Sequence, residues 1–159
     1  MTFTRKFVLT LTAGVVAAST AFAASHSGSA VPADAATKGR KAHMQVYAHN
    51  LGILGGMAQG NIPFDAALAQ TAADNLHAVS ALPQTTYWVP GTAVGEIDGS
   101  KALPAIWENM EDFEAKQVAL TDAAAAMQAA AGSLEGVQGA MRGIGGACGA
   151  CHEDYRQSD

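Results

Sequence analysis

The chain reads as an all-α protein, an antiparallel up-down-up-down four-helix bundle, and three observations predict it. Apolar residues recur at spacings of three and four, with few β-branched runs and no sustained alternation. Alanine-rich segments end at Gly, Asn and Pro, where helices stop. The turns between the first and second segments, and between the third and fourth, are short, which makes each pair antiparallel neighbours.

The N-terminus carries Arg5-Lys6, an apolar run from Phe7 to Ala18, and Ala21-Phe22-Ala23, a small-x-small cleavage signal. Residues 1–23 are therefore expected to be a cleaved secretory signal peptide, and the run is too short to span a bilayer. Residues 24–36, with Ser25-His26-Ser27-Gly28-Ser29, are expected to form a flexible tether. Residues 37–159 then make one domain. The first helix runs from about Thr37 to Gln59, with Met44, Tyr47, Leu51, Leu54 and Ala58 along one stripe, and ends at Gly60-Asn61 and Pro63. The second starts near Asp65, an N-cap, carries Leu68, Ala72, Leu76 and Val79, and closes at Leu82-Pro83.

A long connection follows, holding Tyr87-Trp88-Val89-Pro90-Gly91-Thr92; loops of that length are functional or mobile. The third helix opens at Pro104 and buries Ile106, Met110, Phe113, Leu120, Ala124 and Met127. Ser133 caps the fourth, which places Leu134, Val137, Met141, Ile144, Cys148, Cys151 and Tyr155 on a single seam. Glycines at 136, 139, 143, 145, 146 and 149 cost roughly 1 kcal/mol each in a helix interior. So many of them in one helix point to a flat group, or another helix, lying close.

Cys148-Gly149-Ala150-Cys151-His152 is a Cys-x-x-Cys-His run, and the chain has no other cysteine. This spacing is the attachment site of a c-type haem: two thiols bond the haem vinyl groups, and the histidine becomes the proximal iron ligand. A redox dithiol would be expected beside a βαβ pattern, which is missing. Zinc would need two more ligands, and His26, His43, His49 and His77 form no such pair. The bundle is thus expected to hold one covalently bound haem c.

Export fits that cofactor and places the protein in the bacterial periplasm. Cleavage removes two basic residues and no acidic ones, so nine basic against fourteen acidic becomes seven against fourteen. An acidic chain argues against nucleic acid and anionic membranes as partners.

Beyond the haem motif, Gly60-Asn61-Ile62-Pro63-Phe64-Asp65, Leu82-Pro83, Pro90-Gly91-Thr92, Pro104-Ala105-Ile106-Trp107 and the tail from Ile144 to Arg156 resemble the class II c-type cytochromes. That group comprises cytochrome c′ and the low-spin cytochromes c-556 and c-554, and cytochrome c′ is a known up-down-up-down bundle. The resemblance implies that Cys148 and Cys151 are the thioether sites and His152 the proximal ligand. It implies that Arg156 lies near the proximal face and that Arg40 and Thr92 approach a haem propionate. Lys41 stands where many members have glutamine, and the resemblance implies that it contacts the haem periphery. Ala93 departs from a position that is often acidic, with Glu96 nearby.

The same resemblance puts Met44 over the distal face of the iron. A methionine there ligates iron in low-spin members, and the tail leans towards that branch. His43, about 100° round the helix from Met44, is expected at the bundle edge or in solvent, and His49 on the opposite side. Met57, Met110, Met127 and Met141 read as core filler.

With Met44 bound, the protein is an electron carrier with transient redox partners and no catalytic residues. A basic cluster of Lys38, Arg40 and Lys41 would then steer an acidic partner. With Met44 unbound, the iron is five-coordinate, and the resemblance implies binding of nitric oxide or carbon monoxide. A peroxidase would need a distal base and polar partner that the first helix does not offer. A homodimer is compatible with either reading.

Overall fold

The computed structural model describes residues 31–158. The expected signal peptide and most of the tether lie outside the described residues. Four long helices, α1 (Ala33–Ala58), α2 (Ala66–Ser80), α4 (Met110–Ala130) and α5 (Leu134–Tyr155), are joined by a single-turn helix, α3 (Ala105–Glu108). Among the described residues there is no strand, only one isolated bridge between Ala102 and Arg156.

The first helix begins at Ala33 rather than Thr37, which shortens the tether. Pro32 supplies the carbonyl for the Ala36 N–H at 3.0 Å, and Lys38 pairs with Asp34 at 3.1 Å in the first turn. Ala36 and Thr37 are buried, so packing holds what the Gly/Ser-rich stretch before them would not. At α2, Asp65 is the N-cap as expected and accepts the Leu68 N–H at 2.9 Å. Its buried stripe is Ala69, Ala72, Ala73, Leu76 and Ser80, while Leu68 is exposed, contrary to expectation. Small side chains let this face approach its neighbours closely.

The expected third helix is broken at Asn109 (φ −139°, ψ 57°). Asparagine competes poorly for helix interiors, and here its carbonyl accepts the Phe113 N–H at 3.1 Å and the Tyr155 hydroxyl at 3.4 Å. The break leaves Ile106 buried and lets the Trp107 indole donate to the Trp88 carbonyl at 3.0 Å. At α5, Ser133 accepts the Gly136 N–H at 3.1 Å and no capping-box glutamate is present.

Each long helix packs on two others: α1 on α2 and α5, and α4 on α2 and α5. The pairs run antiparallel. Asn75 of α2 bonds Asn50 of α1, Thr121 of α4 bonds the Ser80 carbonyl at the end of α2, and Lys116 of α4 pairs with Asp154 of α5 at 3.0 Å. Two apolar clusters fill the bundle. The larger gathers Tyr47, Leu54, Met57, Leu76, Met127, Val137 and Ile144; the smaller joins Ala102, Ile106, Phe113 and Tyr155. Each fully buried Leu, Met or Ile side chain among them contributes roughly 1.5–3 kcal/mol.

Candidate haem site

Cys148 and Cys151 are half-buried near the C-terminal end of α5, one on each apolar cluster. Cys148 packs against the larger cluster, beside Tyr47, and Cys151 against the smaller one with Trp88, Phe113 and Tyr155. Burial raises both thiols, that of Cys151 to about 11, so both are neutral in the unmodified chain. His152 follows on the exposed side. Burial first, and then the Arg156 charge, lowers its pKa, favouring the neutral imidazole that a metal requires. Among the described residues no group of three or more His, Cys, Asp or Glu is arranged to hold a metal ion. Zinc on this cysteine pair therefore finds no further ligands.

Whether a flat macrocycle fits here is a question for the glycines. Gly145 and Gly149 share the α5 face of Cys148 and His152, and a Cβ added to either would meet no atom within 4 Å. The expectation that another helix lies against these positions is not met. The face is open and free of Cβ bulk beside both thiols, which suits a porphyrin plane.

The register of α1 against α5 decides what stands across from this face. Gly55 of α1 lies against Met141 of α5, a Cβ there meeting the methionine methyl at 3.7 Å, and Gln138 donates to the Ala58 carbonyl at 2.9 Å. Met44 lies roughly three turns before Gly55 on the same side of α1, and His152 roughly three turns after Met141 on the same side of α5. Because the helices are antiparallel, extending this register by three turns brings the Met44 position of α1 level with that of His152 on α5. Met44 is 39 % exposed, unusual for a large apolar side chain on a core stripe.

Arg40 is buried at 5 % exposure and bonds the long connection instead of solvent. Nη1 donates to Thr92 Oγ1 at 2.9 Å and to the Tyr87 carbonyl at 3.3 Å; Nη2 donates to the Thr92 carbonyl and to Ser100 Oγ at 2.8 Å. Its Cζ lies 5.2 Å from the Trp88 ring centroid. Arg40 and Thr92 are thus brought together, and the connection is tightly bonded rather than mobile. The Ala93 N–H donates to the Glu96 carboxylate at 2.7 Å, so Glu96 folds back onto its own turn. Lys41 is exposed, with its ammonium over Gly99. Arg156 is half-buried at the C-cap of α5, its N–H bonding the His152 carbonyl at 3.2 Å.

Two expectations are corrected here. His43 is 4 % exposed rather than in solvent. Its Nε2 lies 2.8 Å from the Tyr47 hydroxyl, and its ring packs edge-on against Tyr47 and Tyr87, so the imidazole is held inside the bundle. The basic cluster of Lys38, Arg40 and Lys41 also dissolves, since Arg40 is buried and Lys38 is paired with Asp34. Trp88, with Tyr87, is the expected anchor of the long connection on the bundle and packs on Phe113 and Arg40, whereas Ser100, which completes the Arg40 shell, carries no signal beyond its place in that connection.

Comparison with known proteins identifies the family. Residues 35–156 match the family described as cytochrome c′. A cytochrome c-554 of Cereibacter sphaeroides is 47 % identical over 123 residues, spanning 77 % of this chain and 80 % of that protein. The solved cytochrome c′ from Rhodobacter Spheriodes superposes with a TM-score of 0.78 at 32 % identity, covering 81 % of this chain and 100 % of the other. A nitric oxide complex of a cytochrome c′ variant from Alcaligenes xylosoxidans gives 0.69 at 32 % identity, over 79 % and 97 %. The chain therefore belongs to the cytochrome c′ family of four-helix-bundle haem proteins and carries haem c covalently through Cys148 and Cys151.

Proposed function

We propose that this chain is a periplasmic electron carrier whose iron is held between His152 and Met44. What supports this reading is the α1–α5 register, which extended by three turns brings Met44 level with His152, beside Gly145 and Gly149 where α5 carries no Cβ. Bound haem c supplies one-electron iron(III)/iron(II) chemistry, and His/Met ligation raises its potential. Cys148 and Cys151 fix the group to α5 through two bonds, so α5 sets its orientation. His152 supplies the proximal nitrogen and Met44 a thioether sulfur. Antiparallel packing of α1 on α5 keeps the two ligands at a fixed separation, which limits reorganisation when the electron moves. With His152 and Met44 both holding the iron, no position would be left for a substrate and electron transfer would be outer-sphere.

The acidic chain and the absence, among the described residues, of a helix long and apolar enough to cross a membrane are compatible with transient docking of redox proteins in the periplasm. The N-terminal Arg5-Lys6 and Ala21-Phe22-Ala23 features support export. A second reading has a specific basis: a solved relative was captured with nitric oxide. In that reading Met44 stays off the iron and leaves a distal position open to small gases. Met44→Ala separates the two. A change from low- to high-spin optical bands supports ligation, and an unchanged spin state excludes it.

A further inference from the structure

We infer that the Trp88 indole N–H donates a hydrogen bond to a haem propionate and forms, with Arg40, a two-donor seat for that carboxylate. Trp88 Nε1 is buried and has no hydrogen-bond partner among the described residues. A buried donor left unpaired is strongly disfavoured, so such an atom marks a missing acceptor. The ring is fixed on three sides. Its edge-to-face partner Phe113 lies 4.6 Å away by centroids, Arg40 sits over its face, and its own carbonyl is held by the Trp107 indole.

Arg40 has the matching need. Its four bonds go to neutral oxygens of Tyr87, Thr92 and Ser100, and its pKa is lowered by burial alone, with no carboxylate pairing it among the described residues. With all four Nη–H groups taken, Arg40 keeps its Nε–H for an anion, and its guanidinium stacks over the same ring whose N–H lacks an acceptor. Trp88 also packs in the cluster that holds Cys151, so the vacant donor lies within the haem site. The family's covalent haem c brings carboxylates there, and a carboxylate satisfies both donors at once. The inference extends the proposed site but does not depend on Met44 binding iron.

The test uses the holoprotein with haem ¹³C-labelled at its propionate carboxyls, made by feeding labelled aminolevulinate. Trp88→Phe keeps a ring over Arg40 and deletes the donor; Trp107→Phe, which loses only its bond to a carbonyl, is the control. The labelled carboxylate infrared band is expected to shift in Trp88→Phe and stay in place in Trp107→Phe. In the wild-type ferrous protein, diamagnetic as it stands if Met44 holds the iron and as its carbon monoxide adduct if it does not, the ¹⁵N–¹H indole signal of Trp88 is expected downfield. Its exchange should be about tenfold or more slower than that of a solvent-bonded indole. A labelled band unmoved by Trp88→Phe would overturn the inference. So would a Trp88 indole proton exchanging at the solvent rate, as a water-bonded or unpaired donor would.

Discussion

Arg40 shows how much one side chain does before any cofactor is considered. Its guanidinium closes the connection between α2 and α3 onto α1 through three residues, and burial already lowers its pKa. Arg40→Ala should leave the Thr92 and Ser100 oxygens short of donors and cost on the order of 2–4 kcal/mol in urea unfolding. Tyr155 gives a pH-dependent counterpart. Its hydroxyl donates to Asp112 at 2.7 Å, and that bond, followed by burial, raises the phenol to about 12 against an ordinary value of 10.0. The neutral phenol is the bonded form. Its contribution is therefore complete below pH 10 and lost as pH rises towards 12. The stability difference between wild type and Tyr155→Phe should shrink across that window and stay level below it, as read by unfolding at fixed pH values.

At the scale of elements, the glycines of α5 are not interchangeable. A Cβ at Gly136 would sit 2.2 Å from the Ala130 carbonyl oxygen across the α4–α5 turn, whereas one at Gly139 meets nothing within 4 Å. Gly136→Ala should destabilise by about 1–3 kcal/mol despite alanine's helix preference. Gly139→Ala should stabilise by up to about 1 kcal/mol. Equal effects at the two positions in thermal unfolding would contradict this distinction. The helices themselves were legible in the sequence because 3.6-residue spacing and the Asp65 and Ser133 caps are local signals. The break at Asn109 was not, since it depends on the Tyr155 hydroxyl and on Trp107 reaching Trp88, both contacts between distant segments. Leu68 was misread for a related reason: α2 buries its alanines, and a leucine beside them looks more core-like than it is.

Across the whole molecule, the haem site was readable where chemistry is compact in sequence, in Cys148-Gly149-Ala150-Cys151-His152. The rest of the site is assembled by antiparallel packing. Arg40 meets Thr92 through the folded connection, and only the register fixed at Gly55 and Met141 brings the Met44 position level with that of His152. His43 escaped because helical direction alone does not reveal that Tyr47, one turn on, and the Tyr87 ring would hold an imidazole in the core. On the proposed reading, Met44 is the second iron ligand, opposite His152. The most direct measurement is the optical spectrum of the ferric holoprotein beside that of Met44→Ala. The account expects low-spin bands with the weak sulfur-to-iron charge-transfer feature in the wild type, and loss of that feature with high-spin bands in the variant. A wild-type spectrum already high-spin, or one left unchanged by Met44→Ala, would contradict it.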